Sequence, residues 1–407
     1  MLSSIAALAA ALMLLWMLGN GLLVVVYRRD VWRLWREPVF RHPILIIESD
    51  DWGAGPPCQA AALQEIADVL GRHRDATGRA PTFNLSLVLA VPDGPAIRAD
   101  GAYRRVCLDA PEFAPILATL REGQSRGAFA LQLHGMEHYW PEALMASDDG
   151  RVAAWLRQPA PAVTEQLPAH LQTRWVCAAS LPSKPHADDA IRAAVADEVR
   201  TYARIFGAPP KVVVPPTFVW TRETELAWAS HGVECIVTPG SRYTCRDAQG
   251  LPAGDEGPIV NGDRAGGLTY LARTDYFEPA RGRDAAHALR VLDRTASAGR
   301  PCLLENHRDN FINDAQMRER SLVELDTLYR AAAARHGDLR FLSSWELACI
   351  LRDRDPQWLI AGFRERLPFI WNRLRHTGRL WKFMAVTGLA AAGGLIVRWF
   401  GTPRSGQ

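Results

Sequence analysis

The sequence predicts an α/β protein built on a parallel sheet. Short β-branched or apolar runs alternate with longer amphipathic stretches from residue 43 to residue 342, and turn or stop residues separate them. Apolar residues make up 48% of the chain, which is enough for a substantial core. Repeated strand–helix units imply parallel strands, either closed into a barrel or left open with helices on both faces.

The predicted strands are short and rich in Ile, Val and Leu, which is typical of parallel strands buried on both faces. They cover residues 43–48, 82–89, 129–133, 211–214, 235–238, 302–305 and 339–342. The predicted helices are longer and amphipathic, and the one at 187–206 stops at Gly207, with Pro209 and Pro210 just beyond. They cover residues 59–73, 110–123, 187–206, 223–230, 284–296 and 314–336.

Residues 140–184 interrupt the alternation with a long polar stretch that is rich in proline. Connections of this length are uncommon inside compact domains and are often functional. We therefore predict an insertion that lies over the functional site as a lid.

Both ends of the chain resemble membrane segments. Residues 5–26 are apolar apart from Asn20 and two glycines, which is long enough to cross a bilayer as a helix. No basic region precedes this run and no cleavage site follows it, so residues 1–27 are predicted to be a retained transmembrane anchor. The second apolar run, 383–397, is short and rich in glycine, and either a span or an interfacial helix fits it.

Basic residues flank both apolar runs and define the remaining segments. We expect a basic juxtamembrane linker at 28–42, a catalytic domain at 43–355 and a basic, Trp-containing tail at 356–407. The positive-inside rule favours a cytoplasmic catalytic domain. The alternative is that the arginines bind headgroups on whichever side they lie, which leaves an extracytoplasmic domain open.

The bulk composition excludes some classes of function. A formal net charge of +3 is too small to indicate nucleic acid as the main partner. The seven cysteines form no CxxC pair, so neither a zinc knuckle nor a dithiol redox site is indicated, and a reducing compartment is weakly favoured.

Three polar clusters follow predicted strands, where catalytic groups of parallel α/β proteins lie. The first, residues 48–53, contains adjacent carboxylates at Asp50 and Asp51. Like charges raise one another's pKa, and a cation beside them removes that penalty. The simpler alternative is a turn, because Asp and Gly are common turn residues.

The second cluster carries His134 and His138, spaced i and i+4. On a helical turn these side chains would point the same way, and that spacing suits a divalent metal. The third cluster, residues 305–311, places His307 and Arg308 at a strand end. Together the clusters supply a carboxylate and two imidazoles for a metal, a second carboxylate for a base, and a third histidine for an acid.

This series resembles the NodB-type polysaccharide deacetylases, the family-four carbohydrate esterases, and within them the subgroup with Ser-Asp-Asp-Trp-Gly at the first motif. Asp50-Asp51 matches the first motif, and His134 to His138 matches the His-Ser/Thr-x-x-His motif, with Gly135 at the Ser/Thr position. The strand followed by His307 matches the last motif. The resemblance covers about residues 43–347, most of the chain between its apolar ends.

The resemblance implies a distorted (β/α)7 barrel and deacetylation of N-acetylated sugars. It assigns Asp51, His134 and His138 to a divalent metal, most often zinc, with cobalt, nickel and iron as alternatives. It assigns Asp50 as the general base and His307 as the general acid. Backbone near Thr217 corresponds to the oxyanion site.

The chain departs from the family at the third motif. Val214-Pro215-Pro216-Thr217 occupies that motif without the arginine that orients the catalytic aspartate. Arg273 or Arg308 could replace that arginine, and residues 273–279, including Asp275, are the best candidate for the fourth motif.

The expected substrate is an amino sugar on a lipid-linked precursor or a surface polysaccharide, because the chain carries an apolar anchor. Two alternatives remain at this stage. One is a catalytically inactive carbohydrate-binding protein on the same fold, and the other is a related hydrolase such as a deformylase or a glycosidase that uses Glu48 or Glu305.

Overall fold

A computed structural model describes residues 2–158 and 163–400 of the chain. The chain divides into two compact units. The larger unit comprises residues 42–293 and 301–353, and the smaller comprises residues 1–41, 294–300 and 354–407.

The strands are mostly short and buried. In chain order the described residues form β1 (Ile44–Gly53), β2 (Phe83–Val88), β3 (Ala90–Pro92), β4 (Arg105–Cys107), β5 (Phe129–Gly135), β6 (Val176–Cys177), β7 (Lys184–Pro185), β8 (Val212–Val213), β9 (Cys235–Thr238), β10 (Cys245–Arg246), β11 (Pro252–Ala253), β12 (Arg264–Ala265), β13 (Leu268–Ala272), β14 (Asp275–Tyr276), β15 (Cys302–His307) and β16 (Arg340–Phe341).

The helices of the described residues lie between these strands and at the two ends of the chain. They are α1 (Leu2–Val26), α2 (Arg28–Arg36), α3 (Gln59–Leu70), α4 (Gly94–Asp100), α5 (Ala114–Ser125), α6 (Pro141–Met145), α7 (Gly150–Leu156), α8 (Asp188–Phe206), α9 (Arg222–Ser230), α10 (Ala285–Ser297), α11 (Asp309–Ile312), α12 (Ala315–Arg335), α13 (Ser344–Asp353), α14 (Phe363–Arg375), α15 (Arg379–Val386) and α16 (Leu389–Phe400).

The larger unit is organised by one sheet whose strand order is β12-β13-β9-β8-β5-β2-β1-β15-β14, with β16 paired to β1. All pairings in it are parallel except that of β12 with β13. The predicted α/β class with a parallel sheet is therefore confirmed. The core is continuous across both faces of the sheet and includes the fully buried Trp52, Trp175 and Trp228.

Residues 268–276 connect the two borders of this sheet. β13 pairs with β9 in the register Thr269↔Cys235, and β14 pairs with β15 in the register Asp275↔Leu304. Only two residues, 273 and 274, separate β13 from β14. The sheet is therefore curled, because one short segment pairs with β9 through β13 and with β15 through β14. The sequence analysis missed both strands of this segment.

Several predicted bounds also change. The first strand continues beyond residue 48 to Gly53, so Asp50 and Asp51 lie within the strand and not after it. His134 lies at the end of β5, and His138 lies in a bend beyond it. The expectation of a helical turn at these histidines was wrong, because Gly135 has a φ of +115°, which no α-helix contains.

The predicted insertion at 140–184 is a folded layer in its described part. It contains α6, α7, β6, the first residue of β7 and two 3₁₀ turns, at Thr164–Gln166 and Ala169–Leu171. Its apolar side chains pack with α4 in a small separate cluster. The members of this cluster are Ile97, Tyr139, Leu144, Val152, Trp155, Leu156, Leu167 and Leu171.

The smaller unit brings the two ends of the chain together. Residues 28–42, predicted as a linker, form α2 over most of their length. Arg373 on α14 is buried and donates five hydrogen bonds of 2.7–3.3 Å to backbone carbonyls. The acceptors are Leu34, Glu37, Pro38, Ala298 and Gly299.

Among the described residues, no single helix is both long enough and apolar enough to cross a bilayer. Two bent pairs meet both requirements together, namely residues 10–26 with α2 at 60° and α15 with α16 at 92°. The run predicted at 383–397 is thus two helices that meet near Thr387 and Gly388.

Candidate metal centre

The carboxylates of Asp50 and Asp51 project from an irregular part of β1. The register of β1 against β2 shifts between Ser49 and Trp52, and Asp51 has a φ of +71°. Such irregularities re-aim side chains and are costly for a residue other than glycine. The shift gives the two adjacent carboxylates different neighbours, so that each can have its own function.

His134 has the orientation expected of a metal ligand. Its Nδ1 lies 2.7 Å from the carbonyl oxygen of Val214, so this nitrogen carries the proton and donates it. The free lone pair is then on Nε2, which faces Asp51. Metal-binding histidines commonly donate their other ring N–H to a carbonyl or carboxylate in this way.

Asp51, His134 and His138 converge on one point. Oδ1 of Asp51 lies 3.4 Å from Nε2 of each histidine, and the three ligand atoms lie within 4.8 Å of one another. All three residues are buried. Within residues 2–158 and 163–400, Oδ1 of Asp51 has no hydrogen-bond partner, although a buried carboxylate oxygen without one is costly.

Asp51 and His138 have protonation states that suit a cation, whereas Asp50 and Asp51 raise the pKa of His134 against the effect of burial, so that a cation would have to displace a proton there. Burial opposes charge on Asp51, but His138 and His134 outweigh it and hold the pKa of its carboxyl well below the ordinary value. Burial lowers the pKa of His138 to about 4, so its imidazole is neutral at neutral pH. One carboxylate and two imidazoles with converging lone pairs fit a divalent ion of the zinc type.

Asp50 is held by an arginine from the bridging segment 268–276. Arg273 donates from Nη1 to Oδ2 and from Nη2 to Oδ1 of Asp50, both at 2.7 Å. It also donates from Nε to Glu48 at 2.8 Å, and its Nη1 lies 3.3 Å from Glu305. Burial raises the pKa of Asp50, but Arg273, His134 and His307 together more than offset this and the pKa falls to about 2.

The imidazole of His307 lies beside two carboxylates, those of Glu278 and Glu305. Its Nδ1 lies 2.6 Å from Oε1 of Glu278, and its Nε2 lies 3.7 Å from Glu305. Burial opposes its charge, but the hydrogen bond to Glu278 and the nearby carboxylates raise the pKa of His307 to about 10. Asp50, Glu305 and His307 also lie within 4.8 Å of one another, but Arg273 already supplies a cation there.

The remaining predicted residues differ in their contacts. Arg308 is buried and its guanidinium lies 3.2 Å from Glu165 of the insertion, so the carboxylate of Asp50 is contacted by Arg273 and not by Arg308. Arg308 reaches Asp50 through its backbone N–H, which donates to the carbonyl oxygen of Asp50 at 3.2 Å. Thr217 has a φ of +52°, and its hydroxyl accepts a hydrogen bond from Arg246. Asp275 contacts Arg283 and His287, and its assignment to the site stays a prediction.

Two glycines permit the close packing of this centre. Gly53 has a φ of +110°, and a side chain there would collide with the carbonyl of Val88. At Gly135 a Cβ atom would lie 2.8 Å from the carbonyl oxygen of Glu137. The glycine that replaces the family's Ser or Thr at position 135 therefore fits the local backbone.

Sequence reasoning missed Glu278, although it lies within the segment 273–279 that was singled out. It also assigned no role to Glu165 or Arg174, since neither stands near a recognisable motif. Nothing in local sequence indicates contacts of Glu165 with Arg308 or of Arg174 with Glu137, which span 143 and 37 residues.

Comparison with known proteins gives matches by structure only. No protein-family profile and no curated protein sequence matches the chain. A protein of Mycobacterium smegmatis assigned as a polysaccharide deacetylase is 11% identical, with a TM-score of 0.40, over 78% of this chain and 94% of its own. The 4-α-glucanotransferase of Thermococcus litoralis is 12% identical, with a TM-score of 0.37, over 76% and 40%.

A family 4 acetyl xylan esterase from Clostridium thermocellum, solved with a cobalt ion, is 11% identical with a TM-score of 0.36. The match covers 75% of this chain and 91% of the esterase. Many of the matching structures are carbohydrate esterases of family four. This is the family that the sequence motifs resemble.

Proposed function

We propose that the chain is a metal-dependent hydrolase that removes an N-acyl group, in the first place acetyl, from an amino sugar. The observation that carries this proposal is the buried Oδ1 of Asp51, which has no hydrogen-bond partner among the described residues and lies 3.4 Å from Nε2 of both His134 and His138. We propose in addition that the curled sheet is the distorted (β/α)7 barrel of the polysaccharide deacetylases.

In this proposal Asp51, His134 and His138 hold the metal, and zinc is the first choice ahead of cobalt, nickel and iron. When bound, a divalent cation supplies Lewis acidity toward an amide carbonyl and makes water more acidic. Asp50 accepts the proton of the attacking water, and Arg273 keeps its carboxylate ionised and oriented. His307, protonated and hydrogen-bonded to Glu278, donates a proton to the departing amine.

The inactive alternative loses its main support. It was motivated by the absence of the family's arginine in the third motif. Arg273 makes two hydrogen bonds to Asp50 from another part of the chain, which answers that absence. A buried base, a half-buried acid and a set of metal ligands favour catalysis over binding alone.

Membrane attachment and a lipid-linked substrate are proposed from the composition of the smaller unit. Its residue ranges contain sixteen Arg and Lys against four Asp and Glu, a formal charge of +12, which leaves −9 for the larger unit. All of the strongly exposed large apolar side chains of the described residues also belong to it, except Leu226, Leu251, Tyr276 and Val323. Anionic lipid headgroups attract such basic segments. The charge bias favours the cytoplasmic face.

The proposal is tested on the purified full-length chain by metal content and by acyl release from N-acetylglucosamine oligomers. We expect about one divalent ion per chain and release of acetate. Asp51→Ala and His134→Ala should lose both. His73→Ala is the matched control, because His73 contacts Asp326 and no residue of the centre.

Each other outcome has a defined meaning. Unchanged metal content and activity in Asp51→Ala or His134→Ala contradicts the proposal. A wild-type chain that binds the oligomers without metal and without acyl release supports the inactive alternative. Release of formate from formylated sugars without release of acetate supports the deformylase.

A further inference from the structure

His138 lacks the support that orients His134. Its Nδ1 is buried and has no hydrogen-bond partner among the described residues. The residue also lies in a bend and not in a helix or strand. A metal ligand needs its ring fixed within narrow limits, so the support for His138 must come from the chain on either side of it.

Met136, Glu137 and Tyr139, on either side of His138, are each held by hydrogen bonds or ion pairs. The backbone N–H of Met136 donates to Oε2 of Glu198 at 3.1 Å, and the carbonyl of Tyr139 accepts from Nη1 of Arg174 at 3.2 Å. The carboxylate of Glu137 accepts from the same Nη1 at 2.7 Å and from Nε of Arg105 at 2.7 Å. The loop is therefore held on both sides of the ligand.

Arg174 and Glu198 make most of these contacts and also bind each other. Nε of Arg174 donates to Oε2 of Glu198 at 3.1 Å, and Oε1 of Glu198 accepts from the indole N–H of Trp228 at 2.8 Å. Both residues are buried, and so is Glu137. Buried ion pairs contribute little net stability, because the desolvation of both charges offsets their attraction. A structural purpose other than stability is therefore expected.

The two partners come from different parts of the chain. Glu198 lies on α8, whereas Arg174 belongs to the insertion 140–184, which packs around its own apolar cluster. The insertion thus contributes a side chain that holds the loop between the histidines.

We propose that Arg174, with Glu198 as its anchor, is a positioning residue that fixes His138 for metal binding. This inference rests on the proposed function, because it assumes that Asp51, His134 and His138 bind a cation. It predicts that metal affinity depends on a residue that touches none of the three ligand side chains. Loss of such outer support commonly lowers metal affinity 10- to 100-fold.

The test measures Co²⁺ binding to the full-length protein by calorimetry, together with the visible absorption of the bound ion. Arg174→Met should weaken Co²⁺ binding roughly 10- to 100-fold and change the absorption bands, since the bands report ligand geometry. Arg174→Lys keeps the charge but concentrates it on one nitrogen in place of a planar fork, so a partial recovery is expected. Arg79→Met is the matched control, because it breaks the Arg79–Glu346 ion pair away from the centre.

Equal Co²⁺ affinity and identical bands in folded wild type and Arg174→Met would overturn the inference. If Arg174→Met does not fold, the same comparison on Arg174→Lys and Glu198→Gln decides, and unchanged binding in both again overturns it. A wild-type chain that binds no metal contradicts the proposed function itself, which is a distinguishable result.

Discussion

Arg273 and Asp50 are joined by two parallel hydrogen bonds of 2.7 Å, although 223 residues separate them in the chain. Arg273 stands where β13 ends and just before β14 begins, so it is delivered by the segment that bridges the two borders of the sheet. A strand end distant in sequence thus supplies Asp50 with an arginine, although Val214-Pro215-Pro216-Thr217 contains none.

Replacement of Arg273 by Met should destabilise the protein and impair catalysis. The change leaves Asp50, Glu48 and Glu305 buried without their shared cation, and breaking a buried pair of this kind costs about 3–5 kcal/mol. Denaturant unfolding measures the loss, and Arg79→Met again serves as the control.

Arg273→Met should also change the pH at which activity is lost on the acid side of the pH–rate profile. Arg273, with His134 and His307, lowers the pKa of Asp50 to about 2, so the stabilisation is present above the ordinary aspartate pKa and is lost as pH falls through about 2. Without Arg273 the effect of burial is opposed by the two histidines alone, so the pKa of Asp50 should rise and activity should fall at a higher pH. A pH–rate profile whose acid limb does not move contradicts this assignment.

His307 should remain protonated at neutral pH in the metal-free protein. Glu278 and the nearby carboxylates raise its pKa to about 10, so the stabilisation from its charge is complete below the ordinary histidine pKa and is lost as pH rises through about 10. The ring resonances of His307, followed by NMR against pH, report this directly. Glu278→Gln should lower the midpoint, and a wild-type midpoint near the ordinary value would show that Glu278 has no such effect.

Gly135→Ser, which restores the residue found in the family, should be unfavourable here. The φ of +115° disfavours any side chain, and its Cβ would press against the carbonyl of Glu137 between the histidines. We expect a loss of about 1–3 kcal/mol in unfolding free energy together with weaker metal binding. Gly78→Ala provides a control with positive φ but open space around the Cβ. Equal effects on metal binding in both variants would contradict the explanation.

Arg373→Met should loosen the smaller unit. The change removes five hydrogen bonds to backbone carbonyls of residues 34–38 and 298–299 at once. Limited proteolysis should then cleave faster within residues 28–41 and 354–378 than in wild type. Arg375→Met, on the exposed face of the same helix, should leave cleavage unchanged. Similar cleavage of both variants would show that Arg373 is not the residue that holds this unit together.

Local sequence predicted much of the fold because strands at the middle of the sheet are buried along their whole length and are rich in apolar residues. The strand at Cys235–Thr238 was predicted with its observed bounds, and the helix at 187–206 differs by one residue. The two strands within 268–276 were missed because they are short and Arg273 stands between them, and the charge of Arg273 is accommodated by carboxylates distant in sequence.

The candidate centre was predicted in part for a similar reason. Carboxyl ends of neighbouring parallel strands meet at one edge, which indicates that Asp51 and His134 lie close together. Arg273 was one of two candidates for the arginine beside Asp50, and Glu278 and Arg174 were given no role. Their contacts depend on the curling of the sheet and on the folding of the insertion, which local sequence does not report. The helical interpretation of His134 to His138 was wrong because spacing alone does not report the positive φ of Gly135.

The most direct measurement is anomalous X-ray diffraction from crystals of the full-length protein grown with Zn²⁺ or Co²⁺. The proposed metal centre predicts one strong peak about 2.0–2.2 Å from Oδ1 of Asp51 and from Nε2 of His134 and His138. A peak at Asp50, Glu305 and His307 in its place, or no peak near any of these side chains, would contradict it.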